Sequence, residues 1–206
     1  MLFNSLAFVL FLAAVLPLAH LVRGRARTAL LLAASYLFYG WWDWRFCSLL
    51  LLSTVVDYLA ARWIEERPAQ ARLGVAFSLI VNVGVLCFFK YANFFVDSFL
   101  AMTASVGLAP SESLVRVVLP IGISFYTFQT VGYTVDVYRG RLKAVRDPLL
   151  FGLYVAFFPQ LVAGPIERAE RLLPQLATDR ALTPDFLRTG VSLLLVGWFK
   201  KVGLAD

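Results

Sequence analysis

Charge is scarce in this sequence, and that scarcity sets the first bound on what the protein can be. Only 16% of the 206 residues are Asp, Glu, Lys or Arg, whereas 60% are hydrophobic and the mean hydropathy is +0.76. Soluble domains carry about 25% charged residues, so a water-facing globule is excluded. Histidine occurs once, at His20, and cysteine twice, at Cys47 and Cys87, with no Cys-x-x-Cys spacing. One His and two separated Cys cannot assemble a usual zinc or haem site, so no metal is expected. The cysteines lie in apolar runs beside Phe46 and Phe88, and both read as buried packing residues. No glycine pattern resembles a phosphate-binding loop, so no cofactor site is expected of this chain. No repeat of about 20 to 50 residues is apparent, which argues against a solenoid or a duplicated transporter half.

What is present is a succession of apolar runs. A spanning helix needs about 20 such residues, so the chain has room for roughly seven spans in one membrane domain covering residues 1–206. The first run, Leu6 to Val22, lacks the basic start of a cleaved leader and is followed by Arg23, Arg25 and Arg27, so it reads as a retained span. Further runs cover Thr28 to Trp42, Phe46 to Ile64, Leu73 to Phe89 and Val117 to Val137. Tyr36, Tyr39, Trp41, Trp42 and Trp44 make an aromatic belt suited to a membrane interface. Lys90 to Gly107 is aromatic and mixed, and reads as an interfacial or partly inserted helix, followed by a turn-rich break at Ala109 to Ser113. Asp147 and Pro148 start a run to Val162 that is short for a span. Pro159, Gly164 and Pro165 interrupt it, predicting a broken or re-entrant helix near Pro159–Pro165, tolerable at depth only where protein or a cavity covers the freed backbone. A last helix begins at Thr183-Pro184-Asp185 and ends at Lys200 and Lys201. The expected fold class is an all-α integral membrane protein, a multi-helix bundle.

The net charge of +6 sits in short clusters between apolar runs rather than on one soluble face, which reads as topology and excludes nucleic-acid binding. One set of connections holds ten basic residues, grouped at Arg23 to Arg27, Arg62 to Arg72 and Arg139 to Arg146, against Arg45, Lys90 and Arg116 on the other. The N-terminus is therefore expected to face away from the cytoplasm, provided Lys90 to Gly107 does not make a crossing of its own. Ser53, Asp57 and Ala60, and Gly74, Ser78 and Asn82, recur at helical spacing and predict helix-to-helix contact faces.

Asp57 is an ionisable group inside an apolar run, but no second carboxylate or histidine shares that run, so a structural hydrogen-bonding role is expected. His20 stands beside Arg23 at the end of its run with no carboxylate within a turn to orient it, so it is not expected to act as a base. The richest polar content within apolar surroundings comes late: Ser124, Tyr126, Thr127 and Gln129, then Gln160, Glu167 and Arg168 around the break. Gln129, Gln160, Glu167 and Arg168 are the candidates for a polar pocket or pathway. The residues alone do not choose between an enzyme and a transporter or flippase-like protein.

Four stretches carry a resemblance. They are Phe89 to Phe95 (Phe-Lys-Tyr-Ala-Asn-Phe-Phe), Leu119 to Gln129, Asp136 to Gly140, and Phe158 to Ile166 (Phe-Pro-Gln-Leu-Val-Ala-Gly-Pro-Ile); Ser35 to Trp42 and Trp198 to Lys201 fit as well. In order and spacing they resemble the membrane-bound O-acyltransferase family, in its bacterial branch acting on alginate. The resemblance implies O-acetyl transfer from an acetyl-type donor to hydroxyls of an extracellular polysaccharide, at the bacterial cytoplasmic (inner) membrane, with periplasmic or extracellular acetylation proteins as partners. It also implies that these residues are the N-terminal portion of a longer protein. The family's catalytic histidine falls in the part of the pattern after Lys200 and Lys201, so no catalytic residue is assigned in this chain, which is expected to be inactive alone.

Overall fold

The computed structural model describes residue 3 and residues 5–105, 116–162, 164–179 and 183–205; the break expected at Ala109 to Ser113 lies outside them. Among the described residues every regular element is helical: α1 Leu6–Leu21, α2 Gly24–Gly40, α3 Cys47–Glu66, α4 Ala71–Ser105, α5 Ile123–Tyr138, α6 Pro148–Ala156, α7 Phe158–Leu161, α8 Ala169–Ala177 and α9 Pro184–Trp198. The helix starts follow ordinary capping chemistry. Ser5, Asp147 and Thr183 accept the first free backbone N–H groups of α1, α6 and α9, and prolines follow directly at the last two. Between α2 and α3, Asp43 accepts from Arg45, and that side-chain hydrogen bond holds the Asp43 carboxyl below the usual carboxylate range.

Helices α3, α4 and α5 pack on one another along small and polar stripes. Gly74, Ser78, Asn82 and Leu86 are the buried residues of α4 and recur every fourth position, as the contact-face expectation required. A Cβ on Gly74 would lie 2.7 Å from Ile64 Cγ1, so a larger residue would push α4 away from α3. The apolar core continues between α1, α2 and α6–α7 through Phe8, Phe11, Phe38 and Phe158, whose rings contact edge-to-face or tilted at centroid distances of 5.2 to 6.4 Å.

Several elements depart from expectation. The fourth apolar run and the described part of the following stretch, Lys90 to Ser105, are one 35-residue helix, α4, because no Pro or Gly breaks the chain between Phe89 and Ser105. Asn93 clamps the returning chain by donating to Val117 O at 2.7 Å and accepting from Val117 N at 2.9 Å. The fifth run becomes helical only at Ile123, since Pro120 and Gly122 (φ 82°) hold the preceding residues out of the helix. Helix α8 was not foreseen, and α9 ends at Trp198 in a wider π-helical turn, Phe199–Ala205, that runs past Lys200 and Lys201. Cys87 is exposed rather than buried and Cys47 is half-buried. Tyr39 leaves the aromatic belt: it is buried and donates to Ile121 O at 2.9 Å, whereas Trp41, Trp42 and Trp44 are exposed.

The basic clusters gather at one end of the bundle. There Arg25 pairs with Asp147 at 3.5 Å, and Arg146 pairs with Glu65 at 2.8 Å. The 147–179 segment leaves this end and comes back to it: Asp147 meets Arg25, while Asp179 accepts from Gly24 N at 3.0 Å and pairs with Arg27 at 3.3 Å. Within it the helix is interrupted between α6 and α7, next to Pro159. Trp44–Glu66 and Pro68–Ser105 are long and apolar enough to cross a membrane.

Candidate functional site

Two buried polar clusters occupy the middle of the bundle. The first centres on Asp57. Its carboxyl oxygens accept from Ser78 Oγ, from Asn82 Nδ2 at 2.8 Å and from Thr134 Oγ1 at 2.9 Å, so three helices meet on one side chain. Ser53 extends the network to Asn82 Oδ1 and lies 3.4 Å from Thr130 Oγ1. All six residues are buried. A carboxyl so surrounded has its acceptor sites occupied by the protein, which makes it an interhelical tie rather than a free base. Thr130 and Thr134 were missed in the sequence; the signal was their i, i+4 spacing on α5.

The second cluster forms where the α6–α7 helix breaks. Pro159 has no N–H and its ring cannot fit beneath the carbonyl of Val155, so α6 stops at Ala156 and Phe157 turns the chain (φ −53°, ψ 106°). The freed groups find side-chain partners. Gln129 on α5 donates through Nε2 to Tyr154 O at 2.8 Å, and Gln160 Nε2 donates to Pro165 O at 3.1 Å, with Gln129 Oε1 at 3.4 Å. Among the described residues Gln160 Oε1 is buried here without a hydrogen-bond partner. Close backbone approach holds the break in place. A Cβ on Gly122 would fall 2.8 Å from Leu161 O, and one on Gly164 would fall 2.7 Å from Gln160 Cα.

A cleft opens on each side of this break. At the basic end one of about 330 Å³ is lined by Gln129, Tyr133 and Tyr154 from the core and by Asp136, Arg139, Arg141, Glu167 and Arg168 at its mouth. At the other end one of about 390 Å³ is lined by Phe38, Tyr39, Trp41, Trp42, Ile121 and Val162. The structure thus brings Gln129 and Gln160 into contact and places Glu167, half-buried, and Arg168, exposed, at the basic mouth with Gln129. Asp136, Arg139 and Arg141 join them, although in the sequence the arginines signal only topology. His20 lines neither cleft; its Nδ1 faces Leu16 O of its own helix at 2.7 Å. Among the described residues no three His, Cys, Asp or Glu side chains gather as a metal site. With two glutamine amides, tyrosine hydroxyls, the carboxylates of Asp136 and Glu167 and an arginine-rich mouth, the arrangement can bind and orient a polar or anionic group.

Comparison with known proteins places these features in context. The chain is 42% identical over its whole length to a protein of Pseudomonas syringae pv. tomato named "Probable alginate O-acetylase AlgI", of which it covers 40%. It is 41% identical, again over its whole length, to the protein of that name from Azotobacter vinelandii, covering 42% of it. Over 85% of the chain it is 33% identical to the "Peptidoglycan O-acetyltransferase" of Helicobacter pylori, covering 38% of that protein. The chain thus spans about two-fifths of the length of the curated relatives it matches. No family model matches it, and no solved structure does.

Proposed function

The chain belongs to the membrane-bound O-acyltransferase family, on the branch of the alginate O-acetylases, and from this premise we propose that the whole protein transfers acetyl groups to hydroxyls of an extracellular polysaccharide. The observation that carries the reading is the alignment of the entire chain with O-acetylases at 42% identity. The basic-end cleft, lined by Gln129 with Gln160 in contact behind it, supports a more particular role: this chain is the scaffold and part of the passage to the reacting centre. A hydroxyl is a poor nucleophile near neutral pH and needs a positioned base, which in this proposal comes from outside these residues. The acyl donor is of the acetyl type, and the acceptor is a polymer such as alginate.

The setting we propose is the bacterial inner membrane, crossed by α1 to α5 and α9, with the 147–179 segment dipping in from the cytoplasmic side. Large apolar side chains that would be costly in water support this: Leu6, Leu21, Ile80, Phe95 and Leu193 are each at least 66% exposed. Because α4 makes a single pass, the ten basic residues share one end, and that end is cytoplasmic by their bias. In intact cells, a cysteine at Arg141, introduced after Cys47 and Cys87 are replaced, will resist an impermeant thiol reagent and react once the membrane is opened. Labelling in intact cells would invert the topology.

The activity is tested by expressing the full-length protein in a strain whose own O-acetylase has been removed and measuring ester-linked acetyl on the polymer. Acetylation is expected to return, and His20→Ala to leave it within about twofold, since nothing near His20 orients it as a base. A complementing protein that loses activity on His20→Ala at unchanged abundance would place the chemistry in α1; no acetylation from an abundant wild-type protein would overturn the reading.

A further inference from the structure

Outside the two clefts, the seam between α2, α3 and α6 is open. It forms a groove of about 400 Å³ lined by Ala29, Leu32, Ala33, Val55, Tyr58 and Gly152, among others. Small residues help make the opening: Ala29 and Ala33 line it on α2, and on α6 Gly152 lets Leu32 approach, since a Cβ there would lie 3.4 Å from Leu32 Cδ2. Of its polar side chains, Thr54 donates to Leu50 O at 2.7 Å and Tyr58 to Arg146 O at 2.9 Å, which leaves the hydroxyl of Tyr36. The walls left are apolar. On α2 the groove runs from Ala29, one turn beyond Arg25, to Tyr36, about 10 Å at 1.5 Å per residue, roughly a third of a hydrocarbon core about 30 Å thick. It therefore fits within one leaflet and starts one turn from Arg25, at the charged end.

That end is chemically mixed. Arg25 shares the groove's stripe on α2, and its side chain is 75% exposed with a single ion-pair contact, to Asp147 at 3.5 Å. On α3 the same stripe continues to Arg62, whose guanidinium sits 6.0 Å from the Tyr58 ring centroid and pairs with Glu66. Arginines beside carboxylates suit a headgroup that carries a phosphate and an ammonium together. We propose that this seam binds one phospholipid of the phosphatidylethanolamine type, its acyl chain in the groove, its phosphate on Arg25 and its ammonium beside Asp147. This rests on the membrane setting proposed above. The lipid braces α6, and through α6 the broken helix bearing Gln160, against α2 and α3.

The test uses the full-length protein, extracted in mild detergent, equilibrated with mixed micelles of phosphatidylethanolamine and phosphatidylglycerol, and weighed by native mass spectrometry. One tightly held phosphatidylethanolamine per chain is expected. Ala33→Leu and Val55→Phe, both at exposed groove positions, fill the seam and lower its occupancy about tenfold. Arg25→Gln lowers it about fivefold, the loss of one interfacial arginine, while Val83→Leu on the far face of α4 leaves it unchanged. No bound lipid, a preference for phosphatidylglycerol, or full occupancy in both groove-filling variants overturns the site. Release of the protein from membranes by alkaline carbonate would instead overturn the membrane setting, before any lipid is weighed.

Discussion

Replacing Asp57 by leucine will lower the stability of the bundle by about 2 to 4 kcal/mol, the largest loss expected from any single polar position in this chain. The substitution removes the acceptor for Ser78 Oγ, Asn82 Nδ2 and Thr134 Oγ1 at once. A buried donor left unmade costs about 1 to 3 kcal/mol, yet the three losses will not add. Asn82 keeps its bond to Ser78 O at 3.0 Å, and the hydroxyls of Ser78 and Thr134 can turn to carbonyls of their own helices. In lipid the reference state also finds partners, which trims interhelical hydrogen bonds to about 0.6 kcal/mol on average. Asp57→Asn keeps one oxygen for Asn82 and should cost about 1 kcal/mol, because the hydroxyls of Ser78 and Thr134 must turn to accept from its new N–H group and give up their own bonds to the carboxylate. Unfolding of the full-length protein in detergent, followed by circular dichroism, measures both. A leucine variant within about 0.5 kcal/mol of wild type would remove Asp57 as the tie between α3, α4 and α5.

That network shows how far the sequence could be read. Helical spacing revealed the faces: Ser53, Asp57 and Ala60 on one element, Gly74, Ser78 and Asn82 on another, all now buried. Pairing was beyond reach, because Asp57 and Thr134 are 77 residues apart and periodicity identifies a face without its partner. The same limit hid the role of Asn93. Its polarity within an aromatic stretch read as a membrane interface, while its actual work is to hold Val117, 24 residues on. Helix α8 escaped because Pro174 interrupts a segment of only nine residues. The break at Pro159 was legible, since a proline without a donor disturbs any helix, but its consequence was not: which side chains would meet the freed carbonyls depends on α5 lying alongside.

The second large effect is expected at that break. Gln160→Ala in the full-length protein should lower acetyl transfer about tenfold or more while costing only about 1 kcal/mol of stability. The structural part is visible: Gln160 Nε2 caps Pro165 O, which the substitution leaves bare. That role uses one end of the amide. The other end, Oε1, is buried with no hydrogen-bond partner among the described residues, while Nε2 lies 3.4 Å from Oε1 of Gln129, which lines the basic cleft; two residues on, Val162 lines the opposite one. A bare acceptor there is costly unless a ligand's donor uses it in the working enzyme, and this is why turnover should fall further than stability. Gln160→Glu separates the two roles. It keeps acceptor oxygens facing the passage but cannot donate to Pro165 O, so it should lose stability like alanine or more. Melting temperature and turnover per folded molecule, measured on the same preparations, decide the matter. If turnover per folded molecule stays at the wild-type level in Gln160→Ala while the melting temperature drops, Gln160 serves the backbone of the broken helix alone and leaves the passage to Gln129.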